Sequence, residues 1–151
     1  MNYQLIPASR DPGALFTCSN RDNDEENRKN QFPKKKYDLE ERTALFGRRI
    51  VHFSKKIKET WITRSLISQL VRAGTSVGAN YCEADDAHSK KDFIHKIGLC
   101  RKESRETKHW IKMILAACPS LGDEAQSLWK EAQELNLIFS SIINKIRSKT
   151  N

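Results

Sequence analysis

The sequence has no run of about 20 apolar residues and no long apolar stretch near its start. Neither a membrane span nor export is therefore expected, and the cytoplasm is the expected location. No G-x-x-x-x-G-K motif is present to cradle a phosphate, and no nucleophile stands beside a base at a spacing that suggests catalysis. Ser76 and Glu83 come nearest, and they read better as members of a packed polar layer, so no enzyme is expected. Cysteine is limited to Cys18, Cys82, Cys100 and Cys118, with no C-x-x-C pair and no Cys/His zinc spacing. Cys100 and Cys118 would lie roughly 27 Å apart on one helix, too far to bond, so reduced thiols are expected. No segment alternates convincingly with period two, and glycine is scarce. These absences exclude sheet and leave an all-α fold class.

What the sequence does have is positive charge: 27 Lys and Arg against 19 Asp and Glu give +8 over 151 residues. The length suits one domain with its own core. The charge favours a polyanionic partner, whether RNA, DNA or an acidic protein, although a merely soluble basic protein would look the same. Residues 1–36 are polar, hold Pro7, Pro12 and Pro33, and show no sustained period, so they are expected to be a disordered N-terminal tail. Residues 37–151 form the folded part.

From Tyr37 onward one spacing recurs four times. Leu39, Thr43, Phe46, Ile50, Phe53 and Ile57 follow a 4-3 rhythm. Ile62, Leu66, Ala73, Val77, Asn80, Ala84 and Ala87 do so too if Leu70 or Gln69 fills the gap. Phe93, Ile97, Cys100, Ser104, Thr107, Ile111, Ile114 and Cys118 repeat it, and Leu121, Ala125, Leu128, Ala132, Leu135, Phe139, Ile142 and Ile146 give the cleanest case. Such a seam belongs to helices packed nearly parallel or antiparallel. Breaks fall at Lys58–Thr60, at Ser89 with Asp92 as a capping pair, and at Cys118–Glu124. Short connections make neighbours antiparallel, which predicts an up-down-up-down four-helix bundle.

The stretch T-S-V-G-A-N-Y-C-E-A-D-D-A, residues 75–87, stands out because Gly74 and Gly78 sit inside the second helical pattern. Each helix-interior glycine costs about 1 kcal/mol against alanine. Four residues apart, they predict a notch that admits a neighbouring backbone. Asn80 falls on the seam with Glu83 near it, and a buried amide or carboxylate needs a partner. Arg72, Glu103 and Glu106 are the candidates. Such a polar layer, with Ser76 and Gly78, could fix helix register.

At these residues the sequence resembles the bacterial four-helix bundle proteins called 23S rRNA-intervening-sequence proteins. The family pattern R-[SA]-x-S-[IV]-x-x-N-x-x-E-[GA] is met by Arg72, Ala73, Ser76, Val77, Asn80, Glu83 and Ala84. The pattern K-E-x-x-E-[TS]-x-x-W-[LI] is met by Lys102, Glu103, Glu106, Thr107, Trp110 and Ile111. The match spans about residues 37–147. The resemblance implies a basic homopentameric ring that binds nucleic acid, as described for relatives that include the accessory protein of diversity-generating retroelements. Asp85 and Asp86 depart from the pattern and would weaken nucleic-acid contact nearby.

Basic residues are unevenly placed. Between Arg42 and Lys58 the first helix has six and no acidic residue, with Arg48, Arg49, Lys55 and Lys56 the candidate contacts. On the third helix Arg101, Arg105, Lys108 and Lys112 follow a 4-3-4 spacing and share one stripe. A one-faced stripe is the footprint expected for phosphate-backbone binding; the competing reading is a solvated face balancing Glu103 and Glu106. Asp85-x-x-His88, Asp92-x-x-His95 and Glu106-x-x-His109 resemble fragments of a di-iron carboxylate site. Only the last has the right residue types, and no inward Glu is available on the first helix. No metal and no cofactor is expected. Trp61, Trp110 and Trp129 could stack on bases, but helical spacing fits core or subunit interface better. The sequence thus predicts a non-catalytic nucleic-acid-binding scaffold, with a scaffold for an acidic protein as the alternative.

Overall fold

Three helices begin where the sequence supplies a side-chain cap. In a computed structural model, which describes residues 38–148, helix α1 is Leu39–Ser54, α2 Trp61–Asp85, α3 Lys90–Ala117 and α4 Gly122–Ser148. The expected disordered stretch at 1–36 lies outside the described residues. Asp38 caps α1, its carboxylate accepting from the backbone N–H groups of Glu40 (3.0 Å) and Glu41 (3.3 Å). Thr60 caps α2 in a reciprocal capping box with Thr63, and Ser89 accepts from the Asp92 N–H at 3.1 Å to cap α3. These bonds satisfy N–H groups that a helix start otherwise leaves orphaned. A short 3₁₀ turn, Pro119–Leu121, leads into α4. There Asp123 and Glu124 occupy the first turn and Lys145 and Arg147 the last, which suits the helix dipole.

Cross-helix contacts give the direction of every neighbouring pair. Thr43 lies against Gly78 and Ile50 against Gly74, so α1 and α2 run antiparallel. Glu83 meets Lys96 and Arg72 meets Glu106, which reverses α3 relative to α2. Arg101 is linked to Asn136 and Lys108 to Gln133, so α4 reverses again. Arg42 pairs with Glu131 and Lys56 with Glu124, closing α4 onto α1. The result is the up-down-up-down bundle, and α1 and α3 lie diagonally without close contact.

The expected seams fill the core. Phe46, Ile50, Phe53, Leu70, Val77, Ile97, Ile111, Leu128, Leu135 and Phe139 belong to one core cluster and are all fully buried. Each large apolar side chain so placed contributes about 1.5–3 kcal/mol relative to exposure. Three departures from the expected seams lie near helix ends. Helix α1 stops at Ser54, and two tightened bonds, Lys56 N–H to Phe53 O (3.0 Å) and Ile57 N–H to Ser54 O (3.3 Å), turn the chain while keeping Ile57 buried. Near the end of α4 the buried residue is Ile143, not Ile142 or Ile146. A straight helix drifts about 20° per heptad from a strict 3.5 repeat, so the inward position slips by one. Ile62 is exposed, because Thr63 turns inward in that first turn and donates to the Lys58 carbonyl at 2.7 Å.

Among the described residues no helix is long and apolar enough to cross a membrane.

Candidate nucleic-acid interface

The ion-paired carboxylates of α3 and α4 are sorted by direction. Those of α4 point toward α1: Glu131 and Glu134 hold Arg42, each with a contact of 2.6 Å, and Glu124 holds Lys56 at 2.8 Å. Arg42 is anchored as a cation by its bonds to Glu131 and Glu134, which outweigh partial burial. Those of α3 point toward α2. Glu106 accepts from Arg72 at 2.8 Å and lies 3.5 Å from Lys102, while Glu103 stands 3.7 Å from Arg72. Neither set faces the seam between α3 and α4.

That seam is where the basic stripe lies. Arg101, Arg105 and Lys112 are exposed and have no carboxylate partner among the described residues. Lys108 is half-buried. Its ammonium donates to the Gln133 amide oxygen and sits 5.0 Å above the Trp129 ring, with Lys112 at 5.7 Å from the same ring. Burial, then Lys112 and Arg105, push the Lys108 pKa below the ordinary lysine value. Three cations therefore crowd together without an acidic neighbour in this seam, an arrangement that an anion would relieve.

The opposite wall comes from α4 and carries no charge over most of its length. Gln126, Trp129, Gln133, Asn136 and Ser140 follow a 3-4-3-4 spacing along the groove, and only Arg147 near the end is charged. Asn136 donates to the Arg101 backbone carbonyl at 2.8 Å and fixes the two helices together. Between them run two adjoining hollows of about 340 and 510 Å³, both lined by Gly98 and Arg101. Gly98 differs from the packed glycines of α1 and α2 and shares its open surroundings with Gly122 at the start of α4. A Cβ added at Gly98 would meet nothing within 4 Å. The fold thus gains nothing visible in exchange for the roughly 1 kcal/mol that an interior helix glycine costs.

The eight basic residues expected to act together do not share a surface. The four on α3 form the stripe, with Lys108 held inward. Those on α1 occupy the diagonal corner, and most are already engaged: Arg48 with Glu41 at 2.6 Å, Arg49 with the Ser127 hydroxyl at 2.9 Å, and Lys56 with Glu124. Lys55 is exposed. The absence of acidic residues from Arg42 to Lys58 does not leave the helix unscreened, because α4 supplies them from across the seam.

The polar motif also divides. Gly74 and Gly78 do form the notch, and it faces α1: a Cβ on Gly74 would lie 2.8 Å from Ile50, and one on Gly78 would lie 3.4 Å from the Thr43 backbone. Asn80 is not a buried seam residue. It is half-buried and donates to the Ser76 carbonyl of its own helix at 2.8 Å. Glu83 is exposed and pairs with Lys96 of α3 rather than with Arg72. Position 80 lies at the edge of the buried row of Ala73, Val77 and Ala84, where a 4-3 count places it inside. Arg72 pairs instead with Glu103 and Glu106. Glu103 is the buried member, and its Oε2 lacks a hydrogen-bond partner. Burial first, then Glu106, raise its pKa, against the opposing pull of Arg72 and Lys102.

Among the described residues no three His, Cys, Asp or Glu side chains converge as a metal site. Glu106 is tied to Arg72, and His109 packs edge-on to Trp110 with ring centroids 5.0 Å apart. Trp110 and Trp129 are half-buried against the core, whereas Trp61 is 87% exposed. The sequence reading missed the α4 wall and Gly98. Its available signal was the uncharged polar stripe from Gln126 to Ser140, which no apolar count detects.

A family model described as 23S rRNA-intervening sequence protein matches residues 35–147. A crystal structure of a protein of unknown function from the S23 ribosomal protein family of Bacteroides thetaiotaomicron VPI-5482 is similar. It is 31% identical, with a TM-score of 0.63, covering 70% of this chain and 98% of the other. No curated protein matches the chain.

Proposed function

The chain belongs to the 23S rRNA-intervening sequence protein family, and from that premise we propose that it is a non-catalytic scaffold that binds nucleic acid, RNA foremost, through phosphate contacts along α3. The observation that carries this reading is the sorting of carboxylates away from the α3–α4 groove, which leaves Arg101, Arg105 and Lys112 unneutralised beside open space. Phosphate contacts of this type release counterions and give affinity that falls steeply with salt. The α1 cations contribute less, because their charge is spent on Glu41 and on α4.

Assembly would strengthen the effect. A homopentamer in the cytoplasm would repeat the groove around a ring and multiply weak contacts through effective concentration. Trp61 at 87% exposure and Leu137 at 57% support a further buried contact between subunits. Light scattering decides this point against the 17.4 kDa monomer.

The test of function is binding of random-sequence RNA across a salt series, with an acidic protein as control. The triple change Arg101→Glu, Arg105→Glu, Lys112→Glu should keep the helical circular dichroism and remove most binding at about 0.1 M salt. Lys108 is left in place because it braces Gln133 and Trp129. Retained affinity in the folded triple variant excludes the groove. Preference for the acidic protein over RNA at low salt selects a protein-interaction scaffold instead.

A further inference from the structure

We infer that the α3–α4 groove seats a single unpaired nucleic-acid strand, with phosphates along the α3 wall, bases along the α4 wall, and the strand's backbone meeting the bare helix at Gly98. The inference rests on the function proposed above and adds strandedness, orientation and a point of closest approach.

The asymmetry of the two walls carries it. On α3 the groove-facing side chains Arg101, Arg105 and Lys112 are cationic and exposed. On α4 the facing side chains are amides, a hydroxyl and an indole: Gln133, Asn136, Ser140 and Trp129. A single strand has the matching two sides, a charged phosphate edge and an uncharged edge of base faces and hydrogen-bonding groups. A duplex does not. It presents phosphate rows on both rims of either groove, and its base edges are turned inward to their partners. Packed helix axes lie about 8–10 Å apart, so a duplex would ride on the ridges and leave the amide wall untouched.

Gly98 supplies the second, independent observation. It lines both hollows, and a Cβ there would meet no atom of this chain within 4 Å. Its lack of a Cβ serves nothing in the bundle, yet it keeps the groove continuous for a backbone that comes close. From Gly98 to Lys112 the α3 wall extends about 21 Å, enough for several successive nucleotides of an extended strand.

The experiment uses the full chain with labelled oligouridylate, oligothymidylate and a hairpin duplex with as many phosphates, at one salt concentration. Both single strands should bind about tenfold or more tightly than the duplex, the difference one stacked or hydrogen-bonded base can supply. Tighter binding of oligouridylate than oligothymidylate assigns the seat to RNA, and equal binding assigns it to either. Gly98→Leu should lose about tenfold in single-strand affinity, comparable to one lost base contact, with a melting temperature no lower than wild type. Gly98→Ala should raise the melting temperature and lose less affinity. If the leucine variant fails to fold, Gly98→Gln gives the same reading. Duplex bound as well as single strand, or Gly98→Leu bound as well as wild type, overturns this inference while leaving phosphate binding standing. No binding of any probe at low salt overturns the proposed function with it.

Discussion

A methyl group on Gly74 would lie 2.8 Å from both Cγ1 and Cγ2 of Ile50, closer than packed carbons approach. The Gly78 position is looser, with its nearest neighbours the Thr43 carbonyl carbon and oxygen at 3.4 Å. Gly74→Ala should therefore destabilise the bundle, by about 1–3 kcal/mol as overpacking typically does. Gly78→Ala should cost less. Because the clash is with the Ile50 side chain, Gly74→Ala combined with Ile50→Ala should cost less than the sum of the two alone. Urea denaturation of the four proteins measures the coupling, and strict additivity would remove the clash as its cause.

Arg42 ties α1 to α4 through Glu131 and Glu134. Arg42→Ala should lose about 1–2 kcal/mol, the low range for charged hydrogen bonds at a partly solvated seam. Arg42→Lys should restore only part of it, since an ammonium cannot reproduce the guanidinium fork that spans both carboxylates. Equal stability of the lysine variant and wild type would reduce the contact to simple charge.

Burial next to Glu106 raises the Glu103 pKa above its ordinary value near 4.5. The folded protein then binds a proton there more readily than the unfolded chain. Glu103 is accordingly more favourable when protonated, and stability is lost as pH rises from the ordinary value through the raised one. As pH rises above about 4.5 and through the raised value, the wild type should lose melting temperature relative to Glu103→Gln. Parallel melting curves across that range would mean that the Glu103 carboxylate is effectively solvated.

Cys100 is fully buried, and burial pushes its thiol up to about 12. Cys82 is exposed on α2. Iodoacetamide at neutral pH, followed by peptide mass spectrometry, should modify Cys82 well before Cys100 in the native protein. Simultaneous modification would indicate opening of the α2–α3 core on the labelling timescale.

The helices were legible because their apolar rows are regular. Thr43, Phe46, Ile50 and Phe53 of α1, and Ala125 through Phe139 of α4, lie inside as the spacing predicts. Ile142 was placed wrongly because a 4-3 count carried across several turns drifts by a residue on a straight helix; Asn80 lies at the edge of its row, although the same count lands on buried Ala84. The notch was legible as a glycine pair, though its partner helix was not. The site was half legible. The α3 stripe follows from residue type and spacing, whereas its opposite wall depends on which helix packs beside it. Screening of α1 depends on Glu124, Glu131 and Glu134, more than 65 residues away in the chain, as the Lys56–Glu124 separation of 68 shows. No local pattern carries that information.

The closure of α4 onto α1 also has a consequence for how the chain folds. Every other helix interface joins neighbours in sequence, so each can form as a hairpin with a short connecting loop and little loop-closure entropy. Only the α1–α4 interface requires ends separated by the whole bundle to meet. It is expected to form late, in a chain whose remaining interfaces are local. Substitutions at Arg42 should accordingly change the rate at which the bundle unfolds more than the rate at which it folds.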